Sequence, residues 1–183
     1  KALYLDPLLE RTRKNSGRVH KGGPVFTLLI DIKDDARKTY TALHSLLGKY
    51  SSILCEVRAG KYQARAVKVV ISGNRPRDLM KDQELRFAGV DGRMGDLESS
   101  EPAHLLPMIS DRWSRVFRWR GKGAIPVAES ARLQGIVRKA HAAGRVVRFW
   151  ATPEDPVVWK VLVEAGVDLV NTDDLPGLRK FLL

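Results

Sequence analysis

The feature that most restricts this sequence is a strand-then-helix pattern that recurs along it. Phe26 to Lys33 (FTLLIDIK) is an apolar run bounded by Gly22-Gly23-Pro24, and it leads into a helical pattern whose stripe is Tyr40, Leu43, Leu46 and Leu47, ending at Gly48. Asp34 or Asp35 is placed to cap that helix, because a short carboxylate accepts from the backbone N–H groups that a first turn leaves open. The same pattern returns near the C-terminus. Ser130 to Ala143 carries Leu133, Ile136, Val137 and Ala140 at helical spacing, Gly144 stops it, and Val146 to Trp150 reads as a strand. Asp155-Pro156 then opens a further helix as cap and first-turn proline, with Val158, Val161 and Leu162 inward and Gly166 at its end. Val167 to Asn171 is the last strand and Leu175 to Leu183 a final short helix.

Between these blocks, Val67 to Ser72 (VKVVIS) is a nearly continuous apolar strand that stops at Gly73-Asn74-Arg75-Pro76, and Arg86 to Val90 is a shorter one before Asp91-Gly92. Ile53 to Arg58 and Lys61 to Ala66 flank Ala59-Gly60 and predict a hairpin. Ser110 to Arg120 predicts a helix with Trp113, Val116 and Phe117 on one face and Arg112, Arg115 and Arg118 on the other. Five strands alternating with helices predict an α/β fold with a parallel sheet. Five strands suit an open doubly wound sheet. A (βα)8 TIM barrel typically needs about 250 residues, so a barrel would require about three strand-helix units before Lys1, where the 183-residue chain begins without methionine. The expected organisation is a single domain over 1–183 with residues 53–66 as a small hairpin insertion.

Composition removes several classes. At 44% hydrophobic and 29% charged the chain is ordinary for a soluble globular domain, and no apolar run approaches the roughly 18 residues of a membrane span. The lone cysteine, Cys55, makes neither an internal disulfide nor a cysteine-based zinc site. Localisation stays open. The formal charge of +11 is concentrated, since Asp111 to Trp150 holds ten Lys or Arg against Asp111 and Glu129. Such a stretch suits phosphates, of nucleic acid or of lipid headgroups. Nucleic acid is not expected, because the tryptophans fall at core spacing and no nucleic-acid-binding motif accompanies them.

Side chains alternate along a strand, so Thr27, Leu29, Asp31 and Lys33 share a face that becomes charged only at its C-terminal end. That end is where the active sites of parallel α/β folds lie. Asp31 can hold a divalent cation there and Lys33 an anionic oxygen, or the two can form a structural ion pair. Arg148 and Trp150 share the corresponding face of their strand, one suited to grip phosphate and the other to wall a polyol or headgroup. Ser72 and Asn74 end another strand and can add hydrogen bonds. None of the four histidines, His20, His44, His104 and His141, is expected at this rim.

The segments LLIDIKDDARKTY, VVISGNRP, FAGVDGR, WRGKGAIP, GRVVRFWATPEDP and AGVDLVNTDDLPGL resemble the phosphatidylinositol-specific phospholipase C-like phosphodiesterases, within them the glycerophosphodiester phosphodiesterase-like branch that includes the altered-inheritance-of-mitochondria type. The resemblance runs from about Leu3 to Leu183. It implies the C-terminal part of a (βα)8 barrel that cleaves phosphodiesters with a divalent cation, calcium or magnesium. It places metal ligation on Asp31, although glycerophosphodiesterases more often carry Glu there. It makes Lys33 the phosphate and transition-state contact, and Trp150 a wall of the substrate pocket. The family's two catalytic histidines and a Glu-x-Asp pair of metal ligands belong to the first strands and are missing from this sequence, so the general acid and base are expected upstream of Lys1. The expected function is therefore metal-dependent hydrolysis of a glycerol- or lipid-derived phosphodiester, with the 183-residue chain inactive by itself. The alternative is a non-catalytic phosphate-binding or anionic-membrane-docking module built on the stretch 111–150.

Overall fold

A computed structural model describes residues 2–183. The chain divides into two compact units, Lys1–Asp91 and Gly92–Leu183. The first begins with α1 (Leu5–Lys14), which buries Leu5, Leu8 and Thr12 on one side and is joined to the rest of its unit by the Tyr50 phenol donating to the Asp6 carboxylate. No strong cap signals α1, and its short apolar spacing was not read as a helix. Next come β1 (Phe26–Ile32) and α2 (Ala36–Gly48), where Asp35 caps the helix by accepting from the Lys38 backbone N–H at 2.7 Å. β2 (Glu56–Arg58) and β3 (Lys61–Gln63) form the hairpin, turning through Ala59 at φ 47° and Gly60 at φ 73°. Both turn residues lie in the left-handed region that a tight two-residue hairpin loop requires.

The sheet of this unit continues with β4 (Val67–Gly73), parallel to β1 from Phe26 opposite Val67 to Ile32 opposite Gly73. After α3 (Arg77–Lys81), the single strand expected at Arg86 to Val90 is two. β5 (Leu85–Arg86) pairs antiparallel with β2, and β6 (Ala88–Gly92) pairs parallel with β4. Phe87 between them is the step from one sheet to the other. β4 and β6 are buried almost throughout, as befits strands covered on both faces.

The second unit opens with a 3-10 turn at Met94–Asp96 and then departs from expectation. Met108–Arg112 is a strand, β7, followed by a single helical turn, α4 (Trp113–Val116), where a helix over Ser110 to Arg120 was expected. β7 pairs parallel with β8 (Val146–Trp150), Met108 opposite Val146 through Arg112 opposite Trp150. That pairing claims backbone groups a helix would have used internally, so a non-local partner overrides the local period. α5 (Val127–Ala142) joins the two strands. α6 (Pro156–Glu164), β9 (Leu169–Val170) and α7 (Leu175–Leu182) complete the unit, with Asp155 capping α6 as expected and β9 parallel to β8. Parallel strands alternating with helices make the fold class α/β, as expected of part of a TIM-barrel-like fold.

The core of the second unit is aromatic. Trp113, Phe117 and Phe149 lie with ring centroids 4.2 to 5.5 Å apart, and Trp119 meets Trp113 edge-on at 6.5 Å. Trp113 donates to the Trp119 carbonyl at 2.8 Å, and Trp119 to that of Lys122 at 3.2 Å, so both indoles are satisfied inside. The rings interleaved with arginines are therefore core residues.

Arg145 is 2% exposed and has no carboxylate partner among the described residues. Its guanidinium instead donates to four backbone carbonyls, Asp96 at 2.8 Å, Leu97 at 3.2 Å, Ser99 at 2.5 Å and Glu101 at 2.8 Å. It thereby holds the loop that leads into β7. Arg145→Met removes every one of these donors from buried acceptors and should lower the unfolding free energy by about 3 kcal/mol. Urea titration followed by tryptophan fluorescence reads this, and a change of a few tenths would mean that water replaces the guanidinium without cost.

Candidate functional site

The C-terminal ends of β1, β4 and β6 carry the polar residues of the first unit. Asp31 and Lys33 meet as an ion pair at 2.7 Å, with side chains 47% and 81% exposed. An exposed pair of this kind adds little stability. Its cation and carboxylate therefore remain accessible from solvent. Ser72 stands opposite Asp31 in the register but gives its hydroxyl to Asp91 Oδ2 at 2.6 Å. Asp91, 1% exposed at the end of β6, is a rim carboxylate that the sequence reading passed over. Its signal was available, because it ends an apolar strand just as Asp31 does. Arg75 donates to the Asp91 carbonyl, and Asn74 Nδ2 donates to the Asp34 carbonyl at 2.9 Å, tying the loops after β4 and β1 together.

These loops enclose a shallow cleft of about 650 Å³ lined by Lys33, Asp34, Asp35, Gly73, Asn74 and Arg75. Lys33 and Asn74 thus come together at its wall. Gly73 is what allows the close approach. It sits at φ 70°, and a Cβ there would lie 2.1 Å from Asp31 Oδ1 and 2.2 Å from the Ile32 carbonyl oxygen.

The second unit has its own polar row. Arg148, half-buried on β8, donates to Ser110 Oγ on β7 at 3.4 Å and to the Asn171 side-chain oxygen beyond β9. Thr152 donates to the Asn171 carbonyl at 3.2 Å. The Arg112 guanidinium lies 5.8 Å from the centre of the Trp150 ring, a cation-π distance. Arg148 and Trp150 are half-buried while Val147 and Phe149 are buried, the alternation expected of β8. Ser110, Arg112 and Asn171 were not anticipated. Assigning Ser110 to Arg120 to a helix hid the first two, since reading Met108–Arg112 as a strand puts Ser110 beside Arg148.

Among the described residues, no group of three or more His, Cys, Asp or Glu is placed to hold a metal ion. Asp31 is paired with Lys33 and Asp91 is bonded by Ser72, so these carboxylates do not by themselves fit a divalent cation. His20, His44 and His141 lie on helices or ahead of a strand, not at a strand's C-terminal end. His44 on α2 packs between the rings of Tyr40 and Phe87, at 6.1 and 5.6 Å, and His141 on α5 meets Asp168 at 2.9 Å. His20 stacks loosely on Phe26 before β1.

Comparison with known proteins finds similarity in the same part of the chain as some of the motifs. The profile of the glycerophosphoryl diester phosphodiesterase family matches residues 146–176, the segment that holds Arg148, Trp150 and Asn171. The chain is also 26% identical over 213 residues to altered inheritance of mitochondria protein 6 of Eremothecium gossypii, covering 98% of this chain. It spans about half of that relative, 55% of its length. No solved structure gives a significant match. These similarities bear out the resemblance to glycerophosphodiester phosphodiesterase-like proteins.

Two outcomes test this geometry. Gly73→Ala adds a left-handed backbone penalty to a clash with Asp31, and should cost more than about 1 kcal/mol in urea unfolding; unchanged stability would show that the loop relaxes freely. Burial holds the His44 imidazole below its usual value. The unfolded chain therefore takes up that proton first. The stability tied to neutral His44 is complete above the ordinary histidine range, about pH 6.5, and is lost as pH falls below it. His44→Phe should flatten the acid side of the stability profile. An identical slope in both proteins would remove His44 as the source.

Proposed function

We propose that this chain supplies a phosphate-binding face of a phosphoric diester hydrolase whose substrate is a glycerol- or lipid-derived diester. The observation that carries the reading is that the family match over 146–176 falls on Arg148, a half-buried guanidinium in the middle of β8 that donates to Ser110 and Asn171. A guanidinium held in place by hydrogen bonds to Ser110 and Asn171 has a geometry suited to a phosphate oxygen. Trp150 would wall the glycerol or headgroup portion. Lys33, exposed beside Asp31, would take charge on the non-bridging oxygens as it grows in the transition state. Ser72 and Asn74 contribute as positioning residues, one on Asp91 and the other on the loop that carries Lys33.

Calcium or magnesium, with Asp31 as ligand, belongs to this reading only as what the resemblance implies. The described carboxylates do not form a centre for it. Proton transfer likewise has no candidate histidine at the C-terminal ends of the described strands, and general acid-base help is typically worth 10²-fold to 10⁴-fold in rate. The chain alone is therefore expected to bind diester and not turn it over.

Titrating glycerophosphocholine into isotopically labelled chain should shift amide signals around Arg148 and Trp150 saturably, without release of choline. Arg148→Met should weaken binding at least about tenfold, the scale of one charge-assisted contact, whereas Arg115→Ala should not. Robust hydrolysis by the chain alone would overturn the silent reading, and binding indifferent to Arg148→Met would overturn the phosphate site. In a longer protein that does hydrolyse diesters, Lys33→Met should cut turnover far more than Arg115→Ala. Equal losses would count against Lys33.

A further inference from the structure

The basic stretch 111–150 contains more positive charge than the fold uses. Its two acids are committed: Asp111 accepts from the Arg112 backbone N–H at 2.8 Å and faces Arg115 at 3.8 Å, and Glu129 accepts from the backbone N–H groups of Arg118 and Trp119 at 3.1 to 3.2 Å. Arg145 is enclosed by carbonyls, Arg148 belongs to the polar row of the second unit, and Lys139 pairs with Glu98. The remaining six, Arg112, Arg118, Arg120, Lys122, Arg132 and Arg138, are exposed and have no carboxylate partner among the described residues.

Three of them sit on one pinned loop. Trp119 is buried as its anchor, its indole donating to the Lys122 carbonyl, while Glu129 at the start of α5 holds the backbone from beneath. Exposure alternates accordingly, with Arg118, Arg120 and Lys122 outward around Trp119. Arg132 follows Glu129 by three residues and so lies one helical turn along the same side of α5. Beside these cations the chain leaves an apolar point, with Ala124 and Pro126 exposed and Val127 86% exposed. A loop anchored by Trp119 and Glu129 has less freedom to lose on docking, and cations around an apolar tip complement an anionic headgroup layer over hydrocarbon.

From this arrangement we infer that residues 118–132 form a docking surface for anionic phospholipid membranes. The alternative polyanion, nucleic acid, is disfavoured because Trp113, Phe117 and Trp119 are buried in the core and offer no face for base stacking. The inference goes beyond the phosphodiesterase reading and stands without it, since docking needs neither Lys33 nor turnover.

Vesicle co-sedimentation with the whole chain tests it. Phosphatidylcholine vesicles containing phosphatidylserine should retain the chain at low salt and release it as salt rises, and vesicles of phosphatidylcholine alone should not retain it. A cation at such a surface contributes roughly fivefold, so Arg118→Ala with Lys122→Ala should weaken partitioning roughly thirtyfold. Val127→Asp should weaken it further, whereas Arg37→Ala with Lys38→Ala on α2 should leave it unchanged. Circular dichroism confirms that each variant folds, as expected for exposed positions. No retention at low salt, equal losses from the α2 pair, or displacement from vesicles by single-stranded RNA at lower concentration than by soluble phosphatidylserine would each overturn the inference. Failure of choline release or of glycerophosphocholine binding has no bearing on it.

Discussion

Register between parallel strands is the constraint from which both polar rows follow. Side chains on one face of a strand recur every second residue, and parallel strands in register end at the same edge. In the first unit Asp31 therefore stands opposite Ser72, and Ser72 reaches Asp91 on the next strand. In the second unit the same rule sets Ser110 opposite Arg148. A slip of one residue in either sheet would turn these groups onto the apolar face and bring leucine or valine to the edge. Burial of β4, β6 and the Val147 and Phe149 face of β8 opposes that slip, so core packing and polar alignment are two consequences of one register.

The basic residues divide into three kinds that composition cannot separate. Arg145 is an internal strut, its charge dispersed over four carbonyls that position the loop before β7. Arg148 is a half-buried guanidinium that donates to Ser110 on the neighbouring strand and to Asn171 beyond β9. Arg118 and Lys122 are surface charges held apart by a buried tryptophan between them. What distinguishes them is how far each is desolvated and by which groups. Backbone dipoles can replace water around a buried cation but leave nothing over for a ligand, whereas an exposed cation without a carboxylate keeps its full field.

Much of the architecture was legible along the chain. β1, β4, β8, α2, α5 and α6 lie where apolar period and capping put them, with Asp35 and Asp155 capping as their spacing indicates. Asp31 and Trp150 lie at strand ends, Lys33 follows β1 directly, and Arg148 shares the face of Trp150 from the middle of β8. Met108–Arg112 was misread for a physical reason. Ser110 to Arg112 run without a turn signal into Trp113, Val116 and Phe117, which continue a plausible helical stripe. α1 carries no side-chain cap at its start, and Asp91 lies inside β6 because that strand runs to Gly92, two residues further than its apolar run.

What the sequence by itself determined is therefore the local part: which segments extend, which coil, where each helix begins, and that positive charge gathers between residues 111 and 150. Those outcomes depend on neighbours within a few positions, through backbone capping and side-chain period. Tertiary structure decided the rest. It made β7 a strand by giving it β8 as partner, turned Ser72 onto Asp91, enclosed Arg145, and drew Trp113 and Trp119 into the core while leaving the arginines beside them outside. The Ser72–Asp91 and Arg145–Asp96 meetings join residues 19 and 49 positions apart. The energy that selects such meetings comes from burying apolar surface and satisfying polar groups across the fold, quantities that no short window of sequence contains.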